Sequence, residues 1–322
     1  MIKTTLEMFR EELLRTGSYA TAPDHRASKP RAPGWYTTFR FCWSAFSVFP
    51  RTSIAQVLGY LSTDQWAHDC FRSVQTAERF GIPVLAEGWN NRRDYKGPVV
   101  YLANHMSTLE TILLPFVLLA YGPFNTVVKQ SLAHLPGLET AGARLGLIPV
   151  GRVNPREDLM TVFKVGGERI ARGESMLIFA QGRRLPVFKR RDWSSIGTKL
   201  AEKMDVPVIP IAVKTDVMPT RPNGRGWLKD FGTVDPTKEI RLSCGPVLKG
   251  PSRETVKTSF DWIKTKLDSW GMPTEDGFSE KEQYKAKGLT KWRSSKSVTC
   301  RSPRSTGRTT RSRLRVRTRS SS

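Results

Sequence analysis

The sequence has few cysteines and no long apolar segment, and each shortage excludes a class of protein. No apolar run reaches the roughly 18 to 20 residues that a membrane-spanning helix needs, so we expect no such helix. Only four cysteines occur in 322 residues, far apart and without metal-ligand spacing, which excludes a disulfide framework or a zinc site. The first residues contain no apolar stretch typical of a secretory signal. We therefore expect reduced, structural cysteines in a cytoplasmic chain.

Acidic residues are also scarce, and the resulting charge is unevenly distributed. The chain has 29 acidic residues against 52 Lys and Arg, a net charge of +23. Thirteen of the basic residues and none of the acidic ones lie in 283–322, which leaves +10 on residues 1–282. This basic tail is rich in Ser, Thr and Arg and poor in apolar residues, a composition typical of disorder. It could bind an anionic bilayer, bind nucleic acid or lack a specific partner; without a recognition module elsewhere, we expect no nucleic-acid partner.

The pattern between residues 96 and about 250 alternates short apolar runs with helical periodicity, which predicts an α/β fold. Strands are expected at 99–103, 126–129, 147–151, 175–180, 208–213 and 239–244. Helices are expected at 64–80, 107–120, 138–145, 156–172, 195–204 and 255–270. The prediction is a mostly parallel central sheet flanked by helices. We divide the chain into an N-terminal helix and linker (1–34), an aromatic, helical, membrane-proximal region (35–95), the α/β domain (96–272) and a basic disordered tail (273–322).

Residues 35–49 are unusually aromatic, with seven Phe, Trp or Tyr among fifteen positions. Aromatic rings with polar tips favour the headgroup level of a bilayer, so the run is typical of an interfacial anchor. A helix or strand that packs on the core through its rings would have the same composition. We favour the anchor and expect a peripheral (monotopic) membrane protein on the cytoplasmic face, held to an anionic membrane surface.

A histidine and a carboxylate lie five positions apart where a buried strand gives way to a helix. Residues 104–110 read Asn-His-Met-Ser-Thr-Leu-Glu and directly follow the apolar run 98–103. Glu110 could accept a hydrogen bond from one ring nitrogen of His105 and leave the other nitrogen free as a general base. The same residues fit a helix capping box, with Ser107 as N-cap and Glu110 bonded to its amide. Both interpretations stay open on these seven residues.

Basic side chains and glycines follow three of the predicted strands. These residues are Lys129, Gly151, Arg152, Gly182, Arg183 and Arg184, together with Gln181. Ligands of open α/β sheets bind outside the carboxyl ends of the strands, so we expect this set to lie near His105. An arginine can hold a phosphate group through two hydrogen bonds, and Gly182 would let the backbone approach closely. The pattern predicts a phosphate site beside a general base.

These motifs together resemble those of the glycerolipid acyltransferase family, of the lysophosphatidate acyltransferase type. The family's first motif, Asn-His-x-Ser-x-x-Asp, is similar to 104–110, with Glu110 in place of aspartate. Its second motif, which runs from glycine to arginine, resembles 146–152, and its Phe-Pro-Glu-Gly-Thr-Arg motif resembles 179–184, with Gln181 and Arg183 as departures. A later Pro-Val-Ile-Pro run is similar to 207–210. The resemblance covers about 85–215 and implies the family's fold.

The resemblance implies an O-acyltransferase that moves a fatty acyl group from acyl-CoA or acyl carrier protein to a hydroxyl of a lysophospholipid, with lysophosphatidate the first expectation. It implies no metal or cofactor, because the thioester is already activated. His105 would be the general base, oriented by Glu110. The implied substrate-binding residues are Asn104, Ser107, Lys129, Gly151, Arg152, Gln181, Gly182, Arg183 and Arg184. The departures leave three alternatives open: glycerol 3-phosphate as acceptor, a non-phosphate lyso-lipid as acceptor, or a catalytically inactive, lipid-binding member of the fold.

Overall fold

The structure is a computed structural model that describes residues 3–130, 141–142, 144–151, 153–221 and 231–277. Its strands are β1 (Tyr19–Ala20), β2 (Val84–Glu87), β3 (Val100–Ala103), β4 (Phe124–Lys129), β5 (Leu147–Val150), β6 (Ser175–Phe179), β7 (Phe188–Lys189), β8 (Val208–Lys214), β9 (Ile240–Cys244) and β10 (Thr274–Glu275). Its helices are α1 (Leu6–Thr16), α2 (Trp35–Ala45), α3 (Val48–Val57), α4 (Thr63–Arg79), α5 (Asn90–Asp94), α6 (Glu110–Leu118), α7 (Pro155–Ala171), α8 (Ile196–Lys203) and α9 (Ser252–Ser269). The predicted helix at 138–145 lies largely outside the described residues, as do Arg152 and the tail from 278 onward.

Eight of these strands form one sheet in the order β1-β2-β9-β8-β3-β6-β4-β5, while β7 and β10 form a separate parallel pair. Pairing in the large sheet is antiparallel between β1 and β2 and between β8 and β9, and parallel elsewhere. The predicted mostly parallel sheet is therefore confirmed. Each of the six predicted strands is present, with its ends within two residues of the expected positions.

The sheet is buried on both faces, which explains why its central strands are continuously apolar. All four residues of β3 are buried, and they point alternately to two core clusters. Tyr101 and Ala103 pack in the cluster that includes α4 and α6, while Val100 and Leu102 pack in the cluster that includes α7 and α8. Helices therefore cover both faces of the sheet, as the predicted fold class requires.

The large sheet also takes strands from the regions that precede residue 96. β1 lies within 1–34 and β2 within 35–95, and both extend the sheet at one edge. α1 buries Leu6, Phe9 and Leu13 in the same core cluster as α6. The division of the chain at 34, 95 and 272 stays a prediction.

The aromatic run at 35–49 folds into α2 and the first residues of α3, with its rings divided between two faces. Phe41 is fully buried in the core, whereas Trp35 is 80% exposed and Trp43 is 76% exposed. α2 packs on α4 through a hydrogen bond of 2.7 Å between the hydroxyls of Ser44 and Thr76. Of the helices in the described ranges, none has both the length and the apolar character needed to cross a bilayer.

The three cysteines in the described ranges, Cys42, Cys70 and Cys244, are free thiols. Burial raises the pKa of the Cys42 thiol to about 11 and that of Cys244 to about 12. Burial also raises the pKa of Cys70 well above its ordinary value. A raised pKa keeps each of these cysteines as a thiol at neutral pH, and the thiolate is the more reactive form.

Candidate active site

The turn between β3 and α6 carries the predicted base, and a side chain fastens this turn to the neighbouring strand. Asn104 donates a hydrogen bond of 2.9 Å from its amide nitrogen to the carbonyl of Val213. Its amide oxygen accepts one of 2.8 Å from the Val213 N–H. Asn104 thereby continues the pairing of β3 with β8 beyond the end of β3. These bonds account for its burial; substrate binding by Asn104 stays a prediction.

His105 and Glu110 form the hydrogen bond that their spacing predicts. The distance from His105 Nδ1 to Glu110 Oε2 is 3.1 Å, and Glu110 is fully buried while His105 is 8% exposed. An ionised carboxylate can only accept, so this partner assigns the proton to Nδ1 and leaves a lone pair on Nε2. The geometry is that of a base held by its orienting group.

The carboxylate of Glu110 also holds the turn itself. Its Oε1 accepts hydrogen bonds from the amides of Met106 at 3.0 Å and Ser107 at 2.9 Å. The predicted hydrogen bond between His105 and Glu110 is present, and so is the bond from the Ser107 amide to Glu110. Ser107 is not the N-cap, however, because Leu109 takes that position. α6 begins at Glu110, three residues later than predicted, since residues 104–109 fold around this side chain.

Sequence reasoning missed Thr215, which contacts the same carboxylate from the other side. Its hydroxyl donates to Glu110 Oε1 at 2.6 Å and accepts from the hydroxyl of Ser107 at 2.9 Å. Thr215 directly follows β8 and is fully buried. The available signal was a polar residue placed immediately after a buried strand, 110 positions beyond His105 in the chain.

The imidazole and the backbone of His105 are further held by residues at the end of β6 and just after it. The ring of Phe179 stacks on that of His105, with centroids 4.2 Å apart and an angle of 25° between the planes. Gln181 Oε1 accepts a hydrogen bond of 2.7 Å from the His105 N–H. Gln181 Nε2 is buried and has no hydrogen-bond partner among the described residues. Gln181 thus holds the backbone of His105.

The predicted cations lie along the same edge of the sheet at different distances from His105. Arg184 Nη1 donates to the hydroxyl of Thr108 at 3.2 Å, which places this guanidinium beside the turn. Gly182 adopts φ +66°, a left-handed conformation that favours glycine, and Arg183 next to it is exposed. Lys129 ends β4, which lies two strands from β3, or about 10 Å sideways at the usual strand spacing.

Gly151 follows β5, one strand farther along the edge, and its amide donates to Asp158 Oδ1 at 3.0 Å. The residue after it, Arg152, falls outside the described residues, so its predicted role stays a prediction. The structure therefore brings Gln181 and Arg184 next to the His105–Glu110 pair and leaves Lys129 and Gly151 more distant. Among the residues that the structure describes, no three His, Cys, Asp or Glu side chains are grouped so as to hold a metal ion.

Comparison with known proteins finds a match over the region that contains His105, Glu110 and Gln181. Residues 83–214 match the family model described as Acyltransferase. The chain is 34% identical over 201 residues to the 1-acyl-sn-glycerol-3-phosphate acyltransferase of Pseudomonas aeruginosa, covering 60% of this chain and 72% of that protein. It is 27% identical over 183 residues to a chloroplastic 1-acyl-sn-glycerol-3-phosphate acyltransferase of Arabidopsis thaliana, covering 55% of this chain and 49% of that protein. The crystal structure of the 1-acyl-sn-glycerophosphate acyltransferase of Thermotoga maritima aligns with a TM-score of 0.48 at 18% identity, covering 76% of this chain and 97% of that one.

Proposed function

The chain belongs to the glycerolipid acyltransferase family, of the 1-acylglycerol-3-phosphate acyltransferase type, and from this premise we propose that it acylates a free hydroxyl of lysophosphatidate. The acyl group would come from the thioester of acyl-CoA or of acyl carrier protein. The observation that carries the proposal is the buried hydrogen bond between His105 and Glu110 at the end of β3. The 34% identical relative from Pseudomonas aeruginosa supports the choice of acceptor.

The proposed reaction uses His105 Nε2 as general base. Nε2 takes the proton of the acceptor hydroxyl while the hydroxyl oxygen attacks the thioester carbonyl carbon. The tetrahedral intermediate then collapses, the C–S bond breaks, and the imidazolium returns the proton to the departing thiolate. Glu110 stabilises the imidazolium that forms between these two steps, because its carboxylate faces Nδ1 at 3.1 Å.

The arginines after β6 provide the positive charge that a phosphorylated acceptor requires. Arg184 lies against Thr108, three residues from His105, and Arg183 is exposed beside it. An acceptor whose phosphate lies near these guanidinium groups would place its hydroxyl toward the imidazole. We propose Arg184 as the principal phosphate ligand, with Arg183 adding charge. Lys129, Gly151 and Arg152 remain further candidates along the same edge.

We propose that α2 and α3 rest on an anionic membrane surface. The exposed large apolar side chains of this surface are Trp35, Tyr36, Phe39, Trp43, Ile54, Val57, Leu58 and Tyr60. Residues 25–62 contain five Lys or Arg and no acidic residue, so the surroundings of the apolar side chains are positively charged. An apolar surface rimmed by cations fits a bilayer that contains anionic lipid. This α2–α3 surface supports peripheral association, and the cytoplasmic face stays a prediction.

The acceptor and donor are tested with the purified full-length protein and a matrix of substrates. Acyl-CoA and acyl carrier protein are each combined with lysophosphatidate, glycerol 3-phosphate and a lyso-lipid without a phosphomonoester, and products are identified by mass spectrometry. We expect phosphatidate to form fastest. Faster acylation of glycerol 3-phosphate would replace the proposed acceptor, and no transfer in any combination would identify an inactive, lipid-binding member.

The role of His105 is tested by His105→Ala. We expect kcat to fall about 10²- to 10⁴-fold, the usual contribution of a general base, with circular dichroism and vesicle binding unchanged. His68→Ala is the matched control, because His68 lies on the surface of α4 and its Nε2 faces Glu7 at 3.3 Å. An unchanged kcat in His105→Ala would show that another group removes the proton.

A further inference from the structure

We propose that Thr215 is a positioning residue for the reaction, which holds Glu110 in the orientation that serves His105. The inference rests on the proposed function and adds a residue that directly follows β8 and lies outside the 104–110 turn. Thr215 Oγ1 donates to Glu110 Oε1 at 2.6 Å, the shortest of the hydrogen bonds that this carboxylate accepts. The contact joins two fully buried residues.

The direction of each hydrogen bond follows from the chemistry of the groups. The Thr215 hydroxyl has a single proton, and a carboxylate oxygen offers none, so the proton lies toward Glu110. The Ser107 hydroxyl must then donate to Thr215, over 2.9 Å, and it accepts from the amide of Leu109 at 3.1 Å. Ser107 thus removes the alternative in which the Thr215 proton turns away from the carboxylate.

The backbone of Thr215 is fixed by the same turn that it supports. Its amide donates to the sulfur of Met106 at 3.3 Å. Two positions earlier, Val213 is bonded in both directions to the side chain of Asn104. The end of β8 is therefore fastened to the 104–107 turn at several points, and the hydroxyl of Thr215 has little freedom to leave Glu110.

Thr215 contacts only one of the two carboxylate oxygens of Glu110. Oε1 accepts from Thr215 and from the amides of Met106 and Ser107, while Oε2 faces His105 Nδ1 and shares the Ser107 amide at 3.0 Å. A carboxylate can rotate about its last bond, so a strong donor on Oε1 keeps Oε2 directed at the imidazole. A hydrogen bond to a charged group of this kind is worth about 10- to 100-fold in an equilibrium, and we expect a rate effect of that size.

The test compares Thr215→Val with Thr215→Ser in the full-length protein. Valine keeps the shape and removes the hydroxyl, whereas serine keeps the hydroxyl. We expect Thr215→Val to lower kcat about 10- to 100-fold with the KM for the acyl donor unchanged, and Thr215→Ser to restore kcat to within a few-fold. Equal losses in the two variants would assign the effect to packing and overturn the proposal, as would a wild-type kcat in Thr215→Val.

Thr198→Val is the matched control for the loss of a buried hydroxyl. Thr198 is 1% exposed on α8 and shares a hydrogen bond of 2.7 Å with Ser252, away from the turn. We expect this variant to lower Tm without changing kcat. If Thr215→Val and Thr198→Val lower kcat equally, the effect of Thr215 is one of general stability and the proposal is wrong.

A second measurement does not depend on activity, so the inference can fail separately from the proposed function. Nitrogen-15 NMR of labelled histidine reports whether Nδ1 of His105 carries its proton in a hydrogen bond. We expect the protonated Nδ1 signal in the wild type and in Thr215→Ser, and a shifted or exchange-broadened signal in Thr215→Val. An identical signal in all three proteins would overturn the positioning role even if the wild type transfers no acyl group.

Discussion

Gln181 holds the backbone of the proposed base with one end of its side chain and buries an unpartnered donor at the other end. A carboxylate at this position would keep the hydrogen bond to the His105 amide and add a negative charge near the imidazole. An added negative charge favours the protonated ring. Because Gln181 is neutral, the carboxylate that contacts the His105 ring is that of Glu110.

We predict that Gln181→Glu moves the acid limb of the pH profile of kcat/KM to higher pH, by about one pH unit. The added negative charge favours the protonated imidazole, so the neutral ring that can act as a base forms at a higher pH. Gln75→Glu is the control. Gln75 lies on α4 and donates to the carbonyl of Thr4, so this substitution should leave the acid limb in place. Equal profiles for the wild type and Gln181→Glu would show that position 181 is not electrostatically linked to His105.

The residues of the site differ in how far the sequence could predict them. The bond between His105 and Glu110 followed from a short spacing within one turn. Thr215 did not, because its contact depends on which strand lies beside β3, and sheet order is set by packing over more than 100 residues. Asn104 was assigned to substrate, and its bonds to Val213 depend on the same neighbouring strand.

At the scale of the element, α2 combines a buried face with an exposed aromatic one. Phe41 and Ala45 are fully buried, whereas Trp35, Phe39 and Trp43 are exposed. The sequence predicted an interfacial anchor and left open a segment packed on the core. The buried face of α2 agrees with a segment packed on the core, because a helix of this length can bury one face and expose the other, and the interfacial anchor stays a prediction.

We predict that replacing Trp35 and Trp43 together by serine weakens binding to vesicles that contain anionic lipid, by about tenfold for each tryptophan. The reason is the loss of apolar surface that would enter the headgroup region. Vesicle co-sedimentation measures the effect. Val153→Ser with Met160→Ser is the control, because these side chains are exposed but lie outside the α2–α3 surface. Wild-type binding by the double tryptophan variant would contradict the proposed surface.

The sequence predicted the positions of the strands better than their directions or the first residues of the helices. The apolar runs of β3 and β8 identify buried strands, but β9 runs antiparallel to β8, and nothing in its composition distinguishes it. β2, only four residues long, was absorbed in a region interpreted as helical. α6 begins at Glu110 rather than at the predicted residue 107, because Glu110 bonds to amides of the preceding turn. The local sequence fits both a helix and this turn.

At the scale of the whole molecule, a buried carboxyl joins the N-terminal segment to the core. Glu78 near the end of α4 is 2% exposed, and its Oε1 accepts from the hydroxyls of Tyr19 at 2.8 Å, Thr4 at 3.0 Å and Thr21 at 3.2 Å. Burial raises the pKa of Glu78 above its ordinary value, against the lowering effect of these donors and of His25. Burial likewise raises the pKa of Tyr19 to about 12, so that its hydroxyl stays a donor at neutral pH.

This raised pKa predicts a pH dependence of stability with a definite sign. The folded state holds the proton of Glu78 more tightly than the unfolded state, so the contribution to stability is greatest below the ordinary value of 4.5 and is lost as pH rises through the folded value. We predict that Glu78→Gln, which cannot ionise, gains stability relative to the wild type across that window. The gain is about 1.4 kcal/mol for each pH unit between the two values.

Urea unfolding of both proteins from pH 4 to 8 measures this difference. Glu12→Gln is the control, since Glu12 is only partly buried and pairs with Arg15 at 2.8 Å, and it should show no such trend. A difference between Glu78→Gln and the wild type that stays constant with pH would contradict the prediction. A fixed offset added to a pH-dependent difference is compatible with it, because the new amide nitrogen needs a partner of its own.

α2 is also bonded to the part of the chain that follows β8. Thr38 Oγ1 accepts from the Val234 amide at 2.9 Å, and Cys42 Sγ lies 3.8 Å from Met218 Sδ, three residues after Thr215. If the protein rests on a bilayer through this helix, as proposed, it meets its acceptor in two dimensions. The proposed acylation of lysophosphatidate would then slow when the same amount of acceptor is diluted into more carrier lipid at a constant bulk concentration.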